Sequence, residues 1–174
     1  MRDDRNRWPA PIARRDPMTV GAAQLQEVAL TRQTLVSGPS VRTTEAPLIG
    51  WPDLVLTDRY ALCLRRDQVL VVNGQEDSPG WDATAQRAVS DVTDGYRVFD
   101  LTGPSAHDVL QRGAEIELLP RSPSVARQLY GLGCFLYRVG RPDHFRLHVS
   151  SAHADAMCGH LLAAMKATSE VLSL

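Results

Sequence analysis

The stretch YRVFDLTGPSAHDVLQRG, residues 96–113, predicts a strand that turns directly into a helix. Its first part, residues 96–101, has the composition of an extended segment. Thr102 is placed to cap the helix, and Pro104 suits a first helical turn because its φ is already near the helical value. Gly103 permits the sharp turn between the two elements, and Gly113 is expected to end the helix in a left-handed conformation.

Downstream of this stretch, the sequence predicts two extended segments and a final helix. Residues 128–139 are extended but contain glycines, which indicate a close approach of another backbone or of a bulky ring. Apolar and polar residues alternate over 145–149, which predicts a half-buried strand. Ser150 or Ser151 is expected to cap the final helix, and the polar end after Lys166 is expected to fray. The predicted core face of this helix consists of Ala154, Met157, Leu161 and Met165.

Upstream, residues 25–37 have the composition of one extended segment. Residues 38–52 contain three prolines and two glycines, which predict a long irregular connection. Strands are predicted at 60–64 and 68–72, and the second is almost wholly apolar, which indicates a central strand covered on both faces. Residues 81–88 are predicted to form a short helix with an aspartate near its start.

The order of these elements determines the predicted fold class. Because strands and long helices do not alternate strictly, we predict an α+β fold with a mainly antiparallel sheet and helices packed on it. One domain is expected to span residues 18–174. Residues 1–17 are rich in arginine, aspartate and proline, which predicts a flexible N-terminal arm. Trp8 and Ile12 favour an arm that orders on a partner, because a solvated tail gains nothing from a tryptophan.

Composition excludes several classes of protein. The 174 residues carry a formal net charge of −1, which argues against an electrostatic binder of nucleic acid or of an anionic membrane. No apolar run approaches the roughly 18 residues that span a bilayer. The three cysteines are odd in number and far apart, so we expect reduced, packed thiols in a cytoplasmic protein.

The densest group of reactive side chains lies on the predicted final helix and consists of His153, Asp155, Cys158 and His160. Its two histidines are seven residues apart, about 10 Å along a helix, which is too far for one metal ion. We therefore interpret the histidines as helix surface and the cysteine as a packed residue. The G-L-G of residues 131–133 lacks the third glycine and the following helix of a dinucleotide fingerprint. These observations favour a binding or scaffold role over catalysis.

Several positions carry a resemblance to a known family. They are the fold-signature residues Asp91, Gly103, Pro104, Ala106 and Gly113. The surrounding segment, residues 88–118, is similar to the central segment of the sarcosine oxidase gamma subunit family, within the wider group of folate-binding, aminomethyltransferase-like domains. With gaps, the resemblance extends over roughly residues 54–166.

The resemblance implies an accessory, non-catalytic gamma subunit in a heterotetrameric complex that oxidatively demethylates a secondary or tertiary amine. It implies larger flavin-containing alpha and beta subunits and a small delta subunit as partners. FAD, FMN, NAD, tetrahydrofolate and zinc are then expected on those partners, and this chain is expected to bind no cofactor or metal and to hold no catalytic residue.

Tryptophans outside regular elements are often interface anchors, so the candidate partner interface consists of Trp8, Ile12, Trp51 and Trp81. The alternative is that these tryptophans cover the edges of the domain's own core.

The alternative function is that of a stand-alone protein that binds tetrahydrofolate or takes part in aminomethyl transfer. Folate-using relatives of the family carry a late K-G-x-x-x-G-[QR]-E type segment, and residues 121–133 lack it. This departure argues against a pterin site on this chain.

Overall fold

Two β-sheets stack face to face, and two helices lie against the outer face of one of them. The computed structural model describes residues 15–42, 46–75, 78–118 and 121–171. In chain order the elements are β1 (Met18–Val20), β2 (Ala23–Val28), β3 (Gln33–Ser37), β4 (Leu48–Ile49), β5 (Leu54–Val55), β6 (Tyr60–Arg65), β7 (Gln68–Val72), β8 (Gly80–Asp82), β9 (Arg87–Asp91), β10 (Tyr96–Thr102), α1 (Ala106–Gln111), β11 (Ala126–Leu129), β12 (Leu132–Val139), β13 (His144–Ser150) and α2 (Ala154–Val171).

Each of the two sheets is built from a different set of strands. Sheet A has the order β1-β2-β10-β13-β12-β11, with β5 added beside β12. Sheet B has the order β4-β6-β7-β3-β9-β8. Within the described ranges only the pairs β5–β12 and β4–β6 are parallel. The predicted α+β class with mainly antiparallel pairing is therefore confirmed, but the strands form two layers instead of one.

One face of sheet A packs against the helices. Alternation along β10 directs Phe99 and Leu101 to this side, where they meet Met157 and Leu161 of α2. The predicted core face of the final helix is buried, as expected. Each large apolar side chain buried here stabilises the fold by about 1.5–3 kcal/mol relative to an exposed one.

The opposite face of sheet A packs against sheet B. Tyr137 of β12 lies in the same cluster as Tyr60, Leu62 and Leu70 of sheet B. The prediction of a half-buried strand over 145–149 is wrong for this reason, since His148 is 0% exposed. A second sheet covers the face that the alternation assigned to solvent.

Sheet B confirms one predicted pair of strands and corrects one predicted helix. The strands predicted at 60–64 and 68–72 pair as β6 and β7, and β7 is central and covered on both faces. Residues 81–88 do not form a helix. Instead the Asp82 carboxylate accepts hydrogen bonds from the backbone N–H groups of Thr84 and Ala85, and this closes the turn between β8 and β9. Aspartate favours such turns over helix interiors for this reason.

The step from β10 into α1 depends on Gly103. Its φ is +109°, and a Cβ at this position would lie 2.2 Å from the carbonyl oxygen of Ala22. Thr102 does not cap the helix, because it is still paired with neighbouring strands at the end of β10. Gly113 is not in the left-handed conformation predicted for it, and a side chain there would instead collide with the ring of Tyr130.

Replacing Gly103 with alanine is expected to lower the free energy of unfolding by at least about 2 kcal/mol, because a left-handed backbone strain and a backbone clash add up. Chemical denaturation measures this loss. Gly133→Ala is the matched control, since no atom lies within 4 Å of a Cβ there and its φ is not left-handed. Equal stability of the two variants would contradict the role of Gly103.

Two predicted extended segments are each divided by a turn. Residues 25–37 contribute β2 to sheet A and β3 to sheet B, so the chain changes sheets between them. In residues 128–139, Tyr130 and Gly131 have φ values of 51° and 77° and connect β11 to β12 as a two-residue hairpin. The expected close approach at Gly131 and Gly133 is wrong, because space is open around both.

The final helix differs from its prediction at both ends. A 3-10 turn over Ser151–His153 precedes it, and neither predicted serine caps it. The Ser151 hydroxyl donates instead to the carbonyl oxygen of Asp94. The helix continues past Lys166 to Val171, because Thr168 is buried and accepts a hydrogen bond from Arg112 of the chain segment that follows α1.

No helix in the described ranges is long and apolar enough to span a membrane.

Candidate functional site

A group of polar side chains lies between the two sheets, where an apolar core would be expected. Sheet A contributes Asp100, Tyr137, His144, Arg146 and His148, and sheet B contributes Gln33 and Tyr60. We call this group the inter-sheet network. Within this network, the pKa values of Tyr137 and Arg146 are raised and the pKa of His148 is lowered.

The hydrogen bonds of the inter-sheet network run in one direction. Arg146 can only donate, and its Nη1 lies 3.4 Å from the hydroxyl of Tyr60. The Tyr60 and Tyr137 hydroxyls are 2.7 Å apart, and the Tyr137 hydroxyl lies 2.7 Å from Nε2 of His148. Nδ1 of His148 then lies 2.6 Å from Oε1 of Gln33.

Gln33, at the end of this series of hydrogen bonds, determines which atoms of the network carry protons. The Gln33 amide nitrogen donates to the carbonyl oxygens of Thr93 and Tyr96, so its Oε1 faces His148 as an acceptor. Nδ1 of His148 must therefore carry the proton, and Nε2 accepts from Tyr137. Tyr137 in turn accepts from Tyr60. Every donor in this series of hydrogen bonds has an acceptor when His148 is neutral.

Burial keeps these groups uncharged. It lowers the pKa of His148 to about 3, and the positive charge of Arg146 adds to this effect. Burial also raises the pKa of Tyr137 and of Tyr60. At neutral pH the imidazole and both phenols are therefore neutral. The protons of Tyr60 and His148 lie in hydrogen bonds between the sheets, and the proton of Tyr137 lies in a hydrogen bond within sheet A.

A charge pair lies at one end of the network. Arg146 donates through Nε and Nη2 to the two carboxylate oxygens of Asp100 at 2.7 and 2.8 Å. Nε2 of His144 lies 2.8 Å from Oδ2 of the same carboxylate. Burial alone raises the pKa of Asp100, but the contacts from Arg146 and His144 outweigh it and the net shift is downward. The pair therefore stays ionised although both side chains are mostly buried.

Sequence reasoning missed this network. The alternation over 145–149 placed Arg146 and His148 in solvent, and nothing local to that strand signals a second sheet. The one usable signal is a tyrosine in each of two mostly apolar strands, Tyr60 in β6 and Tyr137 in β12, because a buried phenol hydroxyl needs a hydrogen-bond partner.

The candidate interface tryptophans lie in different environments. Trp51 is 2% exposed and stacks on Phe145, and its indole N–H donates to the carbonyl oxygen of Glu117 at 2.7 Å. It belongs to this chain's own core, which is the alternative that the sequence left open. Trp81 is 66% exposed on β8. Trp8 and Ile12 lie outside the described residues.

An open cleft of about 280 Å³ borders Trp51 and contains charges of both signs. Glu115 and Glu117 line it together with Arg121 and Arg127. The Arg127 guanidinium lies 5.5 Å from the centre of the Trp51 ring and donates to the carbonyl oxygens of residues 124 and 126. Nη1 of Arg127 therefore already donates within the chain.

The histidine and cysteine residues of α2 do not converge. Cys158 is buried, His160 stacks on Tyr130 with ring centres 5.3 Å apart, and Asp155 pairs with Arg15 at 2.5 Å. In the part of the chain that the structure describes, no group of three or more His, Cys, Asp or Glu side chains is arranged to hold a metal ion.

Four of the five fold-signature residues have a local structural task. Asp91 accepts hydrogen bonds from the backbone N–H and the hydroxyl of Thr93, and this fixes the turn before β10. Ala106 is fully buried where α1 starts, while Pro104 is exposed. Gly103, Ala106 and Gly113 shape the backbone around α1. In the described ranges, none of the hydrogen bonds of Asp91 reaches a side chain of the inter-sheet network.

The same fold occurs in a chain of the heterotetrameric sarcosine oxidase from Corynebacterium sp. U-96, whose structure was solved in complex with pyrrole 2-carboxylate. The alignment has a TM-score of 0.65 and 22% sequence identity, and it covers 87% of this chain and 88% of that chain. No protein-family model and no curated protein sequence matches this chain. The likeness shows a shared fold over nearly the whole length of two chains of similar size.

Proposed function

We propose that this chain is an accessory subunit of a sarcosine-oxidase-like complex and corresponds to its gamma subunit. The observation that supports this most is the end-to-end match of fold, since 87% of this chain aligns with 88% of a chain from a heterotetrameric sarcosine oxidase. A match that covers both chains relates two whole subunits of similar size, whereas a match to one domain of a large catalytic chain leaves most of that chain uncovered. The segment around Gly103 adds the sequence resemblance to the gamma family.

The chemistry of the buried groups supports a structural task. Tyr60 and His148 donate hydrogen bonds from one sheet to the other, to Tyr137 and Gln33, and Asp100 and Arg146 neutralise each other within sheet A. Groups arranged in this way stabilise one relative position of the layers. In this proposal the chain contributes a rigid surface to the complex.

In this account the oxidation of a secondary or tertiary amine takes place on larger alpha and beta subunits in the cytoplasm. Those chains, and a small delta subunit, hold FAD, FMN, NAD, tetrahydrofolate and zinc. This chain holds none of them.

Measurements on the purified chain alone test whether the cofactors and the catalytic activity belong to other subunits. We expect no flavin absorbance near 450 nm, no oxidation of sarcosine or dimethylglycine, and no heat of binding when tetrahydrofolate is titrated in. Sub-millimolar binding of tetrahydrofolate would instead support the alternative, a stand-alone folate-binding protein. Amine oxidation by the isolated chain would overturn both.

A further inference from the structure

The β8–β9 hairpin extends sheet B beyond the area that sheet A covers. Trp81 pairs with Ala88 of β9, which pairs with Ser37 of β3. Leu35 lies two residues before Ser37 and therefore on the same face, and it packs into the cluster between the sheets. Trp81 thus points to the side of sheet B that elsewhere packs on sheet A.

Exposure rises along this face towards β8. Leu35 is partly buried, its partner Ser90 on β9 is exposed, and Trp81 is 66% exposed. The opposite face of the same hairpin is covered, because Val89 packs with Val36 in a separate buried cluster. The hairpin is therefore packed on the face of Val89 and uncovered on the face of Trp81.

β8 is the last strand of sheet B on this side, and within the described ranges no other strand pairs with its outer edge. A Cβ built on Gly80 meets no atom within 4 Å. The short length of β8 and the preceding Pro79 are features that protect an edge strand from unwanted pairing. Trp81 departs from this pattern, because its exposed indole adds apolar surface to the edge.

We propose that the β8 edge binds an extended segment of a partner subunit, which adds a strand to sheet B and places an apolar side chain over Trp81. This inference rests on the proposed function and assigns the partner surface to Gly80–Asp82. An extended segment satisfies the free backbone groups of an edge strand, and its alternate side chains reach the exposed indole.

The length of β8 argues for a partner subunit over a second copy of this chain. Three residues offer about 10 Å of edge. A stable two-fold dimer needs about 800 Å² on each protomer, and a strand of this length supplies only a small part of that area. A larger subunit that contacts this chain elsewhere needs only a short strand here.

The test is co-purification of tagged full-length chains expressed in the native host, with flavin absorbance and the bound chains as readouts. We expect Trp81→Ser to weaken retention of the larger flavin-containing chains by about 30-fold or more, as for a central aromatic anchor. Trp81→Phe should retain most of the binding. Leu56→Ser is the matched control, since Leu56 is 74% exposed but lies outside β8. In the complex, amide hydrogen exchange should slow across residues 80–82.

Each other outcome decides a separate point. If the wild-type chain retains the flavin-containing chains and Trp81→Ser retains them equally, the β8 site is wrong and the proposed function stands. If the wild-type chain retains none, the proposed function fails and the β8 site fails with it. If the purified wild-type chain is a dimer and Trp81→Ser is a monomer, the edge binds a second copy and the partner segment is wrong.

Discussion

Acid is expected to destabilise this chain well before its carboxylates are protonated, because His148 is buried as a neutral imidazole. Its pKa is about 3 in the folded chain, against 6.5 for a free histidine. Between these values the unfolded chain binds one more proton than the folded chain. The free energy of unfolding therefore falls by about 1.4 kcal/mol for each pH unit below 6.5, and the contribution of His148 is complete above that pH.

Urea denaturation at pH 7.0 and pH 5.0 measures this loss, which should be roughly 2 kcal/mol from His148 alone. His148→Gln should flatten the dependence over this range, whereas His153→Gln should leave it unchanged, because His153 is exposed. An NMR titration of the wild-type chain is independent of variant folding. If the His148 ring titrates near pH 6.5 in the folded chain, the neutral network described above is wrong.

Replacing Asp100 with alanine is expected to lower the free energy of unfolding by about 3–5 kcal/mol, because it leaves a buried guanidinium without its counter-charge. Arg146 has 15% of its side chain exposed and donates two hydrogen bonds to Asp100. The loss should be present at neutral pH. In the wild-type chain the stabilisation by this lowered carboxyl pKa should disappear only as the pH falls below about 3.8.

A matched surface pair provides the control for Asp100. Asp143 pairs with Arg141 at 3.0 Å, and both side chains are more than 40% exposed. Asp143→Ala should therefore change the free energy of unfolding by less than about 1 kcal/mol. Chemical denaturation of both variants at pH 7 makes the comparison. Equal effects would mean that burial of the Asp100–Arg146 pair does not increase its contribution to the free energy of unfolding.

The sequence predicts the elements that depend on local patterns. The turn at Gly103, the buried face of α2 and the pairing of β6 with β7 follow from backbone sterics, a period of 3.6 and a short apolar hairpin. Each of these signals lies within a dozen or so residues. The class of fold follows from their order.

The second sheet could not be predicted in the same way. It forms because β3 pairs with β7 and β9, and nothing in one strand specifies those distant partners. Because that sheet covers His148, the burial of His148 could not be predicted from the sequence either. The helix expected at 81–88 failed for a local reason, since Asp82 stabilises a turn as readily as a helix start.

The exposure of the candidate interface tryptophans could not be predicted from composition. Trp51 and Trp81 look alike in sequence, since both adjoin glycine and lie outside long apolar runs. The structure separates them, because Trp51 stacks on Phe145 while Trp81 remains exposed at an edge. Burial in three dimensions, and not residue type, decides which of them remains available to a partner.

The mass and absorbance of the tagged wild-type chain purified from its native host test the account most directly. We predict that it elutes in one complex with larger flavin-containing chains and that this complex oxidises a secondary or tertiary amine. Elution as a colourless single chain of about 19 kDa, from cells that contain an active amine oxidase, would contradict its assignment as a subunit.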